Sequence, residues 1–242
     1  MEYALVTGGS IWATISAKAL TTTIPIVFTT GSDPVGLGFV PNLNRPGGNV
    51  TGVSFLARQL IPKRVELASQ LAARNATLGF LGRPTEPTEP GYAADRKEVE
   101  AAAAALGRTV LFLEVAGAND LDAAFAKAAR QQIGVLVMHA DPLFNSHRNE
   151  IVALSARHAV PTFHELHDFV TAGGLISYGA SVADAYRQAG MYVGRILKGE
   201  KPGELPMVQS TRFELVINLK TARALGLEVP PALFARADKV IE

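Results

Sequence analysis

Along almost the whole chain, short apolar runs rich in β-branched residues alternate with segments of helical periodicity, and this alternation narrows the fold more than any motif does. The strand-like segments are Tyr3–Thr7, Pro25–Thr29, Val50–Phe55, Thr77–Leu81, Thr109–Val115, Gly134–Met138, Pro161–Phe163, Gly174–Tyr178 and Phe213–Asn218. Between them, Val182, Ala185, Tyr186, Ala189, Val193, Ile196 and Leu197 follow the i, i+3, i+4, i+7 spacing of a helix with one apolar face. Ser181 with Asp184 opens that helix and Gly199 with Pro202 closes it. Asn119 with Asp122 opens another, Arg157-His158 sits where a helix C-terminus favours cations, and Glu98–Leu106 ends at Gly107. Strand–helix alternation of this kind builds βαβ units, so the expected class is α/β with parallel sheets covered by helices on both faces. Pro41–Gly48, Arg83–Gly91 with its three prolines, and Gly199–Pro206 read as connections.

Two of the strands end alike. Ile24–Thr30 leads to Asp33-Pro34, Val135–Ala140 leads to Asp141-Pro142, and each Asp-Pro runs into a helix-compatible segment. An acidic acceptor beside a rigid proline puts a polar group at the carboxyl edge of a sheet, where open α/β sheets hold their ligands. Two such edges far apart in sequence point to two similar lobes facing one cleft. Asp33 and Asp141 have three readings: an acid–base carboxylate pair, turn-forming residues before proline, or ligand acceptors in that cleft.

Composition removes several classes of function. The 242 residues are 48% hydrophobic and 19% charged with a formal net charge of +1, so no basic stripe points to nucleic acid. The apolar runs are too short for a membrane helix. There is no cysteine, hence no disulfide, thiolate metal site or cysteine nucleophile. No charged and apolar leader precedes Tyr3-Ala4-Leu5-Val6, so a secretory signal is not part of this sequence. The sequons at Asn49 and Asn75 then carry no weight.

Other constellations have more than one reading. Gly8-Gly9-Ser10 follows a strand and precedes a helix, which makes either an anion site at a helix N-terminus or a plain turn with a serine cap. Neither dinucleotide nor P-loop glycine patterns occur, and no cofactor is expected. All five histidines lie between His139 and His167; His164-Glu165-Leu166-His167-Asp168 lacks the spacing of a zinc helix, and a polar loop near the cleft is expected instead of a metal site. No serine elbow is present, so no catalytic residue is assigned. Tyr178 at a strand end either stacks on a ligand or packs at a lobe boundary.

Several blocks taken together carry a resemblance: Thr22–Phe28, Asp33-Pro34-Val35, Leu43–Val53, Ala140–Phe144, Gly173–Gly179, Gly194–Pro202 and Phe213–Lys220. In this order they resemble the substrate-binding proteins of ABC transporters related to the tryptophan/tyrosine uptake group, over essentially the whole chain. The resemblance implies a type I periplasmic-binding-protein fold: two Rossmann-like lobes joined by hinge strands near Thr51–Ser54, Ile176–Gly179 and Glu214–Asn218. The lobes are expected at 1–53 with 177–213, and at 54–176 with 214–242. It also implies a periplasmic location, a small carboxylate-bearing or aromatic, amino-acid-like ligand, a membrane permease as partner, and no chemistry. Ligand would shift the lobes toward a closed form. The site would draw on Gly9, Ser10, Thr30, Asp33, Arg83, Asp141, Phe144, Glu165 and Tyr178, with Ser10 holding a ligand carboxylate. Two departures stand out. Members usually carry a signal and roughly two further βα units before the strand matching Tyr3–Thr7, so the first lobe is expected to be shortened. Gly82-Arg83-Pro84 stands where relatives tend to have Asn-Pro, which puts a cation at the cleft rim. The alternatives are a two-lobe ligand sensor without transport and, third, an enzyme using Asp33 and Asp141.

Overall fold

The computed structural model describes residues 3–84 and 91–242. In chain order its elements are β1 (Leu5–Gly8), α1 (Ile11–Leu20), β2 (Ile26–Thr30), β3 (Val50–Ser54), α2 (Ile61–Leu71), β4 (Leu78–Gly82), α3 (Gly91–Ala105), β5 (Val110–Glu114), α4 (Leu121–Arg130) and β6 (Val135–Met138). They continue with α5 (Pro142–Ser146), α6 (Arg148–His158), β7 (Thr162–His164), α7 (His167–Thr171), β8 (Ile176–Ala180), α8 (Val182–Leu197), β9 (Val208–Gln209), β10 (Phe213–Asn218), α9 (Leu219–Ala224), α10 (Pro231–Phe234) and β11 (Lys239–Ile241). The chain forms two compact units, Met1–Ala57 with Ala180–Phe213 and Arg58–Gly179 with Glu214–Glu242.

The first unit has a four-stranded sheet in the order β1-β2-β3-β9, with every pair parallel. Alternation along β2 divides its core. Ile26 and Phe28 pack with Ala17, Phe39 and Met207 on one face, while Val27 packs with Ala185, Ala189 and Ile196 of α8 on the other. β2 and β3 are buried throughout, but the edge strand β1 exposes Leu5 and Val6, and α1 exposes Trp12 and Ile15. Gly52 is required where β3 passes β2, because a Cβ there would stand 2.1 Å from the Phe28 carbonyl oxygen.

The second unit has a seven-stranded sheet, β11-β10-β8-β7-β6-β4-β5. β4 pairs in parallel with β5 and β6, β6 with β7, β7 with β8, and β10 with β11. Val135 and Val137 join Phe80, Phe163 and α2 on one face; Leu136 and Met138 join Phe125, Phe144 and Ile151 on the other. Each fully buried side chain of this size contributes about 1.5–3 kcal/mol of transfer free energy.

The alternating pattern predicted every long strand to within one or two residues at each end. It missed β9 and β11, which span two and three residues. The helix opening expected at Asn119 differs in detail. A short 3₁₀ turn at Ala118–Asp120 precedes α4, and it is the Asp120 carboxylate that accepts from the Ala116 and Gly117 N–H groups. After Asp33-Pro34 there is no helix. Leu37 and Phe39 N–H groups bond back to Asp33 and Pro34 carbonyls for a single turn, and Gly38 at φ +68° ends it. The irregular connection expected at Arg83–Gly91 falls largely on residues 85–90, outside the described residues. No helix among the described residues is long and apolar enough to cross a membrane.

Candidate functional site

In the second unit the carboxyl ends of four strands deliver polar side chains to one sheet edge: Arg83 after β4, His139 and Asp141 after β6, Glu165 after β7 and Tyr178 within β8. Asp141 is 3% exposed. Its Oδ1 accepts the Leu143 N–H at 2.7 Å, capping α5, and its Oδ2 lies 3.1 Å from Arg83 Nε. The two residues expected separately at the site are thus an ion pair, with Arg83 half-buried at its outer end.

Behind them lies a second layer. Asp95 on α3, 2% exposed, takes Arg58 Nε on Oδ1 at 2.5 Å and His139 Nε2 on Oδ2 at 2.9 Å. The His139 ring sits edge-on to Phe80 and Tyr92. Arg64 on α2 is 1% exposed, and burial draws its guanidinium below the ordinary range against the opposing pull of Glu165 and Asp95. Burial likewise pushes the Glu165 carboxyl up, opposed by Arg64, by His139 and by a hydrogen bond from Asn145, while Asp141 adds to the rise. Charges at this depth persist only when paired and hydrogen-bonded. Arg58 pairs with Asp95 and Arg83 with Asp141, so acids and bases stand together at this edge. Glu165 Oε2 and His139 Nδ1 have no hydrogen-bond partner among the described residues, although both atoms are buried. The Glu165 backbone is pinned from below: a Cβ on Gly179 would stand 2.0 Å from its carbonyl oxygen.

Other expectations land differently. Phe144 is 1% exposed and packs in the core of the second unit with Leu81 and Phe125, because α5 turns its ring onto the sheet. His164 is the last residue of β7 and not part of a polar loop. It is fully buried, stacked 4.1 Å on Phe169 with Nε2 2.9 Å from the Thr162 hydroxyl, and burial pulls it down to about 3. Among the described residues no group of three acidic or histidine side chains is placed to hold a metal ion. Tyr178 is half-buried and packs against the core.

In the first unit the corresponding edge holds Gly9, Ser10, Thr30 and Asp33, all engaged locally. Gly9, at φ +69°, donates its N–H to the Thr29 carbonyl. The Ser10 hydroxyl caps α1 by accepting the Ala13 N–H at 3.2 Å. Thr30 Oγ1 accepts the Ser32 N–H at 3.1 Å, and the exposed Asp33 accepts the Val35 N–H at 3.0 Å. Ser54 and Ser210, absent from the expected set, present buried hydroxyls without a hydrogen-bond partner among the described residues at the ends of β3 and β9. A hollow of about 550 Å³ lies at the opposite, amino end of this sheet, where Lys18 bonds the Gly38 and Phe39 carbonyl oxygens at 2.8 and 2.6 Å.

Sequence reasoning missed Arg64, Asp95 and His139, yet a signal existed for the first two. Ile61, Arg64, Val65, Ala68 and Leu71 form one apolar stripe, and so do Tyr92, Asp95, Val99 and Ala103, each interrupted by one charge. A charge inside a core stripe marks a buried pair.

A model of the family described as ABC transporter substrate binding protein matches residues 2–241. A tyrosine-binding protein of Clostridioides difficile is 26% identical over 220 residues, which are 89% of this chain and 62% of that protein. This chain therefore spans less than two thirds of that relative's length. A conserved domain protein from Vibrio cholerae superposes with a TM-score of 0.84 at 28% identity, covering 98% of this chain and 78% of the other. The ABC domain from Streptococcus pneumoniae in complex with L-Trp gives a TM-score of 0.82 at 26% identity, again over 98% and 78% of the two chains.

Proposed function

This chain belongs to the family of ABC transporter substrate-binding proteins, its fold is of the type I periplasmic-binding-protein kind, and we propose that it captures an aromatic amino acid for an ABC-type importer. The observation that carries this reading is the buried edge of the second unit, where acidic and basic side chains stand together. A site that offers both acidic and basic groups suits a zwitterion better than a ligand of a single charge sign. Glu165 Oε2, buried and without a hydrogen-bond partner among the described residues, is an acceptor for the ligand's ammonium group. Arg83, held by Asp141 and still half-exposed, offers a cation to its carboxylate. Tyr178 supplies an aromatic surface at the same edge. The names of the similar proteins from Clostridioides difficile and Streptococcus pneumoniae support an aromatic side chain. In this reading the protein performs no chemistry, works outside the cytoplasmic membrane, and hands its ligand to a membrane permease.

A calorimetric and thermal-shift comparison of tyrosine, tryptophan and phenylalanine with a sugar and a nucleoside tests it. Stabilisation by an aromatic amino acid follows RT ln(1 + [L]/Kd), about 2.7 kcal/mol at a hundredfold excess over Kd. Stabilisation by the sugar or nucleoside alone would overturn the reading.

A further inference from the structure

Glu165 Oε2 and His139 Nδ1, both buried and without a hydrogen-bond partner among the described residues, come from neighbouring strand ends. β6 and β7 pair in parallel, with Leu136 across from Thr162 and Val137 across from Phe163. Val137 and Phe163 point into one core, which also holds Phe80 and Tyr92. Side chains alternate along a strand, so two residues on, His139 and Glu165 leave their strands toward that same face. The His139 ring bears this out, lying edge-on to Phe80 and Tyr92 with centroids 5.9 and 5.5 Å away. Its backbone N–H still bonds the Leu81 carbonyl at 2.9 Å, which keeps the residue in line between β4 and β7. The far end of the ring is fixed as well. Nε2 lies 2.9 Å from Asp95 Oδ2, while Asp95 Oδ1 takes Arg58 Nε at 2.5 Å. A carboxylate that accepts on both oxygens has no proton to give, so the hydrogen of the first bond belongs to His139 Nε2. A neutral imidazole carries one proton, and Nδ1 is then a bare acceptor.

We propose that His139 contacts the ligand: Asp95 fixes its tautomer, and Nδ1 accepts, together with Glu165 Oε2, hydrogen bonds from the ligand's ammonium group. The inference rests on the amino-acid reading above and adds a residue and a tautomer to it. An ammonium group has three N–H donors, enough for both atoms at once. A buried acceptor costs free energy until a donor meets it, so a ligand that brings one is favoured over a ligand of the same shape that does not. The His139 and Asp95 side chains are 10% and 3% exposed, which leaves little room for the ring to turn over. Glu165 thus supplies the opposing charge, His139 a directed acceptor, and Asp95 the bond that keeps Nδ1 free of a proton.

Two replacements separate the ring nitrogens. A glutamine amide reaches the place of Nε2 and keeps the bond to Asp95, but leaves nothing at Nδ1. An asparagine amide puts an acceptor at the place of Nδ1 and gives up Asp95. In His139→Gln, calorimetric affinities for tyrosine and tryptophan should fall about tenfold, as for one lost hydrogen bond to a charged group. The deaminated analogues 3-(4-hydroxyphenyl)propionate and indole-3-propionate should stay within about twofold, since they have no ammonium group. His139→Asn should hold all four ligands within about threefold of wild type. Two-bond ¹H–¹⁵N NMR of the histidine rings, with the His139 signal assigned by its loss in either variant, should show the proton on Nε2. The Nδ1 resonance should move with tyrosine and not with its deaminated analogue. A proton on Nδ1 in the complex, an undiminished affinity for the amino acids in His139→Gln, or equal losses in the two variants would overturn the proposal and leave His139 a structural residue. If one variant does not fold, the other assigns the signal and the spectrum decides. Failure of the wild-type chain to bind either amino acid would overturn the amino-acid reading and this proposal with it, whereas the preceding outcomes overturn this proposal alone.

Discussion

The two Asp-Pro strand ends are near duplicates in sequence and opposites in structure. Both follow a buried parallel strand, and both accept an N–H two residues on, from Val35 at 3.0 Å and Leu143 at 2.7 Å. There the likeness stops. Asp33 is exposed, meets no cation among the described residues, and starts one isolated turn that Gly38 ends. Asp141 is buried, caps a helix and holds Arg83 in front of a second layer of charge. The same dipeptide is thus a turn former in one unit and part of a charged site in the other, and the neighbours it is folded against make the difference.

Breaking that difference should cost very unequal amounts. Asp141→Ala removes a helix cap and leaves Arg83 without its buried partner, and it is expected to destabilise the chain by about 3 kcal/mol, read as a lowered urea midpoint. Gly179→Ala and Gly52→Ala each drive a Cβ against a carbonyl oxygen, of Glu165 and Phe28 respectively. Both should cost about 1–3 kcal/mol. Only Gly179→Ala should also weaken tyrosine binding in calorimetry, since it displaces Glu165.

The third contrast is with pH. His164 in the second unit is held near 3 against an ordinary 6.5. The unfolded chain therefore takes up a proton in that window and the folded chain does not. This stability is fully present above pH 6.5 and is lost as pH falls toward 3, at up to about 1.4 kcal/mol per pH unit. His164→Phe keeps a ring against Phe169, and urea titrations of this variant between pH 6.5 and 4 should be flatter than those of the wild type by that slope. Asp33→Ala, the smallest effect, removes one exposed turn bond and should cost about 0.5–1 kcal/mol in the same urea assay.

Much of the fold was legible because it depends on local periodicity. The runs at Val135–Met138 and Ile26–Thr30 are apolar on both faces, as parallel strands between helix layers must be, and α8 declares its buried side through Ala185, Ala189 and Ile196. Of the candidate site, Arg83, Asp141 and Glu165 were legible as polar groups at strand ends. Their pairing was not, since 58 residues separate Arg83 from Asp141 and only the β4–β6 pairing brings them together. Phe144 was misplaced for the same reason: sequence puts it beside Asp141, but one helical step turns it into the core. Arg64 and Asp95 were overlooked because a single charge in an apolar stripe looks like a solvated interruption until the stripe is known to be buried.

The central claim is that the site belongs to the Asp141 edge and not to its twin. Isothermal titration of tyrosine and tryptophan into the wild-type chain, Asp141→Asn and Asp33→Asn tests it most directly. Asp141→Asn should lower affinity by about 10- to 100-fold, the loss expected when one partner of a buried charged pair is neutralised, while Asp33→Asn stays within about threefold of wild type, as suits an exposed turn residue. Equal losses in the two variants, or a larger loss in Asp33→Asn, would contradict the account.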